Sequence, residues 1–164
     1  MANYPSMKAF TIALKAMQAG LMPFVQGILT EQSNKLAADV RDRVQSQGKS
    51  STGGSFSPYS KGHIYKKKKH GKGVYGQKTD AKNFYFQGTM WNSFTTTSVK
   101  KLSPTYVSAG IDFVGSNVYK SNAELEDIHS GRESQNIAAP SQQEELDLVE
   151  RLEEQIYAYI ESVL

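Results

Sequence analysis

Between Pro23 and Gly48, the residues Val25, Ile28, Leu29, Leu36, Val40 and Val44 recur at three- and four-residue steps, with Glu31, Lys35, Asp39 and Arg43 largely on another face. That period predicts a long amphipathic helix over residues 24–47, about 36 Å at 1.5 Å per residue. Such a helix is longer than a small core requires, which leaves part of it to pack on a neighbour. A chain of 164 residues fits one domain that buries roughly 70% of its unfolded surface.

Residues 7–19 carry a second helical period, Met7, Phe10, Leu14 and Met17, which Gly20 is expected to close. Residues 1–22 therefore read as an amino-terminal helical extension, and 23–164 as a single domain. Residues 49–78 are rich in Ser, Gly, Lys and Tyr, carry turn signals at Gly53-Gly54 and Ser57-Pro58, and lack an apolar period. They are expected to form a long mobile loop, the best candidate for a contact arm.

Strand-like runs follow at 83–87, 95–102 and 105–113. The last two are separated by Ser103-Pro104 and predict an antiparallel hairpin. Ahead of that hairpin, Gly88 can end the aromatic strand with a positive φ, and Thr89 can cap a short helical turn. Gly88, Met90, Trp91 and Phe94 are assigned to packing at the base of the loop. Residues 122–128 predict a short helix closed by Ser130-Gly131.

The carboxy-terminal helix has the clearest start signal: Ser141 as cap, with Glu144 as the third helical residue of a capping box. Its apolar stripe is Leu146, Val149, Leu152, Ile156, Ile160 and Val163; Glu145, Glu150, Glu153 and Glu154 are expected to be largely solvated. The fold class is α+β: a long amino-terminal helix, a small antiparallel sheet with a long basic loop, and a carboxy-terminal amphipathic helix.

The chain has no cysteine, which excludes disulfides, thiolate metal sites and cysteine nucleophiles. Lys8 and Lys15 interrupt the apolar stretch near the amino terminus, and no run is read as approaching the roughly 18 residues of a membrane span. A soluble protein without a membrane partner is expected. The net charge is only +3, but it is unevenly spread. Residues 49–82 hold nine lysines against the single Asp80, and residues 112–164 hold twelve acids against Lys120, Arg132 and Arg151. Such polarity suits either nucleic-acid contact or a head-to-tail contact between copies.

Signals for catalysis are missing. His63, His70 and His129 lack the spacing of a zinc site, and two of them lie among lysines that oppose a cation. There is no Gly-x-Ser-x-Gly elbow, and Gly71-Lys72-Gly73 lacks the flanks of a phosphate-binding loop. The pairs Glu126-Asp127 and Glu144-Glu145 are explained by charged helix faces. No enzyme, cofactor or metal is expected. The strongest electrostatic feature is Tyr65-Lys66-Lys67-Lys68-Lys69-His70-Gly71-Lys72-Gly73-Val74-Tyr75. Its lysines can meet phosphates without sequence preference, or they can serve a protein contact.

The order of elements resembles the head-tail joining and tail-completion (neck) proteins of tailed bacteriophages. The likeness is carried by the long helix, the stretch Gly53-Gly54-Ser55-Phe56-Ser57-Pro58-Tyr59-Ser60, and the element Gln87-Gly88-Thr89-Met90-Trp91-Asn92-Ser93. The strand at 106–111, the region 123–131 and the acidic last helix from Ser141 complete it. Gln87 stands where the family usually has threonine, and residues 137–140 lack its usual arginine and phenylalanine.

The resemblance implies a virion structural protein at the phage neck or tail, made in the host bacterial cytoplasm. It would form a ring of six or twelve copies, seal the DNA exit, dock portal, connector or tail proteins, and offer lysines to packaged DNA. The expected contact residues are Tyr59, Tyr65, Lys66, Lys67, Lys68, Lys69 and Tyr75, opposed by Glu150 and Glu153. The alternative is a small nucleic-acid-binding protein using the same lysines without a ring.

Overall fold

The computed structural model describes residues 6–80, 82–85, 89–103, 106–116 and 120–163. The fold is α+β. Helices α1 (Met7–Asp42), α2 (Lys61–His70), α3 (Gly73–Gln77), α4 (Asn122–Glu133) and α5 (Gln142–Val163) accompany an antiparallel hairpin of β1 (Phe94–Ser103) and β2 (Tyr106–Phe113).

α1 runs unbroken through Gly20 and Pro23, then continues as a π-helical turn over Arg43–Gln47 until Gly48, at φ 66°, turns the chain out. The two helices expected from the sequence are one, about 54 Å long. Gly20 does not end it. A Cβ there would lie 2.3 Å from Tyr159 Oη, so the glycine admits the close approach of α5. Pro23 removes one intrahelical donor, but it and Ala19 are exposed, so solvent can reach the carbonyl left without a partner.

Continuity has a second consequence. The helix Met7–Gln47 contains an 18-residue window long and apolar enough, by length and composition alone, to cross a membrane. The expectation that no run approaches that length, drawn from the interruptions at Lys8 and Lys15, is corrected.

The core forms on the second half of α1. Leu36, Ala37, Val40 and Val44 pack with Phe56, Met90, Trp91, Phe94, Phe113 and Ile137. Before Ile28, α1 contributes no buried residue. Phe94 and Phe113 are register partners at the root of the hairpin, and Trp91 meets both rings edge-on, at 5.6 and 5.2 Å. The turn over Trp91–Ser93 starts at Met90 rather than at a Thr89 cap, and Ser93 Oγ donates to Met90 O at 2.7 Å. Asn34 Oδ1 accepts from Thr95 Oγ1 and Thr96 N, both at 3.4 Å, and so fixes the hairpin to α1.

The segment expected as a mobile loop holds α2 and α3. Ser60 Oγ accepts from His63 N at 3.3 Å as the cap of α2. Lysine is a good helix former, and cations at a helix carboxy end complement its dipole, so Lys67, Lys68, Lys69 and His70 favour the last turn. No apolar period marks this helix because only one side of its ten residues touches the body. The strand expected at 83–87 is also corrected where it is described: residues 82–85 are irregular and Phe84 has φ 51°. Gly88 and the Pro104 turn lie outside the described residues.

α4 begins at a capping box of Ser121 and Glu124 and runs past Gly131 to Glu133, longer than expected. α5 starts as the sequence indicates: Ser141 N donates to Glu144 Oε2 at 2.6 Å and Glu144 N to Ser141 Oγ at 3.3 Å. It lies antiparallel on α1, because Glu144 meets Arg43, Arg151 meets Asp39 and Tyr159 stacks on Phe24. Of the expected stripe, Leu152, Ile156, Ile160 and Val163 are partly buried, and the departure is confined to its start. Leu148 joins the core while Leu146 and Val149 are 55% and 49% exposed.

Candidate assembly surfaces

Four consecutive lysines in a helix sweep about 300° of its circumference at 3.6 residues per turn, so at least one must point inward. That residue is Lys67, which is fully buried, while Lys66, Lys68 and Lys69 are exposed. Lys67 Nζ donates to Asn83 Oδ1 at 2.9 Å, to Tyr75 O at 3.2 Å and to Tyr85 O, and lies 3.4 Å from Tyr59 Oη. It also lies 4.8 Å from the centre of the Tyr59 ring. Every one of these acceptors is neutral, and burial pushes the Lys67 ammonium down to about 8.

Tyr59 is the second member of this knot. Its Oη accepts from the backbone of Asn83 at 3.1 Å and Phe84 at 3.0 Å, and donates to Asn83 Oδ1 at 2.9 Å. Burial raises its phenol above the ordinary value against the opposing pull of those two donors. Asn83, fully buried, donates from Nδ2 to Tyr75 O at 2.9 Å and Gln45 O at 3.4 Å. Tyr75 Oη lies 3.3 Å from Ser46 Oγ. Lys67, Tyr59 and Tyr75, expected as partner contacts, thus lash α2, α3 and residues 82–85 to the end of α1. Tyr65, 63% exposed, remains on the outer surface, with Lys69 Nζ 5.9 Å from its ring centre.

Beside the knot lies a cavity of about 330 Å³ between α2 and α4. Tyr59, Phe84 and Tyr85 give it apolar walls; His63, His129, Lys82 and Arg132 give it cationic or titratable groups; Glu133 is its carboxylate. Tyr59 and His63 stack at 4.6 Å, and Phe84 lies 5.3 Å from His129. Glu133 is already engaged by Lys82, by Ser57 N at 3.0 Å and by Ser57 Oγ at 2.8 Å. Burial alone would raise this carboxyl, but those partners hold it below the ordinary range. His63 is lowered by burial, then by Lys67, Lys66 and Lys82; His129 by burial, then by Arg132, Lys82 and His63. Behind burial, neighbouring cations add to the lowering of both imidazoles, while Glu133 opposes it at His129, so the lining carries more cationic than anionic groups.

The opposite chemistry lies on α5. Leu146, Glu150, Glu153 and Tyr157 follow one another at three- and four-residue steps and are all exposed, Tyr157 to 67%. Arg151, the base of this helix, is turned toward Asp39 on α1 at 3.5 Å. Glu150 and Glu153 therefore stand beside exposed apolar side chains and make no ion pair among the described residues. Met90, Trp91 and Phe94, by contrast, are buried and root the hairpin.

Sequence reasoning missed the cavity and the role of Asn83. No spacing rule connects Tyr59, Lys67 and Asn83, because their meeting depends on α2 folding back over α1. The one local signal was the lysine run itself, whose helical reading forces one lysine inward. Compared with family models, curated proteins and solved structures, the chain shows no match.

Proposed function

We propose that this chain is a virion structural protein that assembles into a closed ring at the phage head-tail interface, seals the DNA exit and docks tail components. The observation that carries the reading is the uncovered helix pair. α5 has no fully buried residue over its 22 positions, and α1 has none before Ile28. Leu152, Ile156, Ile160 and Val163 are only half-buried, and Met7 and Ile12 are 78% and 60% exposed. Apolar faces of this extent find cover in another chain.

A ring needs two different patches per subunit, and the charge distribution offers them: exposed lysines on α2 and the acidic outer face of α5. The order of sequence elements, which resembles the neck proteins, supports the same reading. Light scattering and negative-stain imaging across salt concentration test it. Rings of six or twelve copies that weaken with salt are expected, and a strict monomer at all concentrations overturns self-assembly.

The second reading is non-sequence-specific nucleic-acid binding, favoured by the exposed Lys66, Lys68 and Lys69 on one short helix. Reversing these three charges separates the two. Loss of DNA binding in a protein that stays monomeric favours the second reading; loss of assembly favours the ring.

A further inference from the structure

We propose that the cavity between α2 and α4 is a socket for an acidic-aromatic side-chain pair, and that its occupant is the outer face of α5 from a second copy of this chain. The inference rests on the ring reading and names its interface.

Three observations converge. The cavity is walled by Tyr59, Phe84 and Tyr85 and surrounded by His63, His129, Lys82 and Arg132. Among the described residues its one carboxylate, Glu133, is already engaged by Lys82 and Ser57, while Arg132 makes no ion pair. The site therefore keeps unspent cationic capacity beside aromatic surface. Phe84 holds its wall position at φ 51°, a left-handed conformation that a non-glycine residue keeps only where its surroundings over-determine it.

The occupant must bring a carboxylate and a flat apolar body together. Glu153 and Tyr157 lie four residues apart on one exposed face of α5, so both point the same way. Two such side chains are of a size that a cavity of about 330 Å³ can hold. No residue of α5 lines the cavity, so socket and plug are separate patches of one subunit. A contact between separate patches is head-to-tail, and repeated copies close into rings or extend as filaments.

The test uses the full chain and three readouts: self-association by sedimentation, the imidazole proton signals of His63 and His129, and far-ultraviolet circular dichroism to confirm folding. Arg132→Glu and Glu153→Arg are each expected to weaken association at least tenfold, and the double variant, which exchanges the two charges, to restore most of it. A synthetic peptide of residues 142–163 is expected to shift His63 and His129 but not His70; the same peptide with Glu153→Ala and Tyr157→Ala is expected not to.

Single variants that fold and associate as the parent does overturn the socket, as does a peptide that leaves both histidines unmoved. Shifts produced equally by inorganic phosphate and by the doubly substituted peptide overturn it in favour of a simple anion site. Failure of the ring reading looks different: the peptide enters the socket, but imaging shows open filaments or no closed particle. Rings that form while the histidines stay silent leave the ring standing and remove the socket.

Discussion

Arg43 and Glu144, 101 positions apart, form an ion pair of 2.9 Å that joins the π-helical end of α1 to the first turn of α5. Both side chains are nearly buried. Arg43 spends its other nitrogens on Lys49 O at 2.8 Å and Ala139 O at 2.7 Å, and the second oxygen of Glu144 completes the cap at Ser141. One carboxylate thus starts a helix and docks it. Glu144→Gln leaves the guanidinium buried without its countercharge and is expected to cost about 3 kcal/mol. Ser141→Ala, which removes only the cap, is expected to cost about 1 kcal/mol. Arg43→Met with Glu144→Leu recovers only part of the loss, since Lys49 O and Ala139 O lose their donor. Urea unfolding followed by the emission of Trp91, the chain's one tryptophan, measures all three.

The buried knot gives stability a pH profile with a definite sign. Lys67 titrates at about 8 in the folded chain against 10.5 for its ordinary value, so between these pH values the unfolded state binds the extra proton. Stability then rises with pH from about 8, and the full burial penalty applies below it. Tyr59, raised above 10 in the fold, opposes this from about pH 10 upward, because the unfolded phenol ionises first. On the acid side, His63 and His129 are lowered from 6.5. Their contribution is complete above 6.5 and falls as the pH drops through their folded values. Melting temperatures between pH 5 and 10 are expected to climb from the acid end and again above 8. Lys67→Met is expected to abolish the upper climb and to lower stability by about 3 kcal/mol, because the oxygens around Nζ lose their donor.

What could be read from the sequence was whatever local chemistry decides. The Ser141 and Glu144 cap, the hairpin strands and the helical period of residues 25–44 were legible because cap, alternation and period are written in neighbouring residues. Gly20 misled because helix-ending and close packing make the same demand, a missing side chain, and only Tyr159 tells them apart. The lysine run misled in the same way: its charge suggested solvent, but one of its members answers to Tyr59 and Asn83, which no periodicity brings near. At the start of α5, Leu148 turns inward in place of Leu146 and Val149, and this was hidden because it is set by Arg43 and Asp39 on another helix.

Gly20 and Tyr159 make a testable pair. Alanine is favoured over glycine inside a helix by about 1 kcal/mol, yet a Cβ at Gly20 would lie 2.3 Å from Tyr159 Oη and 3.6 Å from Tyr159 Cζ. Gly20→Ala alone is therefore expected to gain little, as the phenol must shift off its stack on Phe24. Tyr159→Phe removes the obstructing oxygen and leaves only an ordinary contact. In that background, Gly20→Ala is expected to show the full gain of about 1 kcal/mol. A double-mutant cycle by chemical denaturation reads the coupling; equal effects of Gly20→Ala in both backgrounds would mean α5 does not approach α1 there.

The exposed apolar start of α1 has two rival uses, and one substitution divides them. Ile12 is 60% exposed, so Ile12→Glu is expected to change the stability of the fold by less than about 0.5 kcal/mol. If the first half of α1 is covered by a neighbouring copy, the charge enters an apolar contact and the assembled mass falls toward that of a single chain of 18.2 kDa. If instead that half of the helix meets lipid, the parent protein floats with phosphatidylcholine vesicles and Ile12→Glu does not. The ring reading expects the loss of mass without flotation.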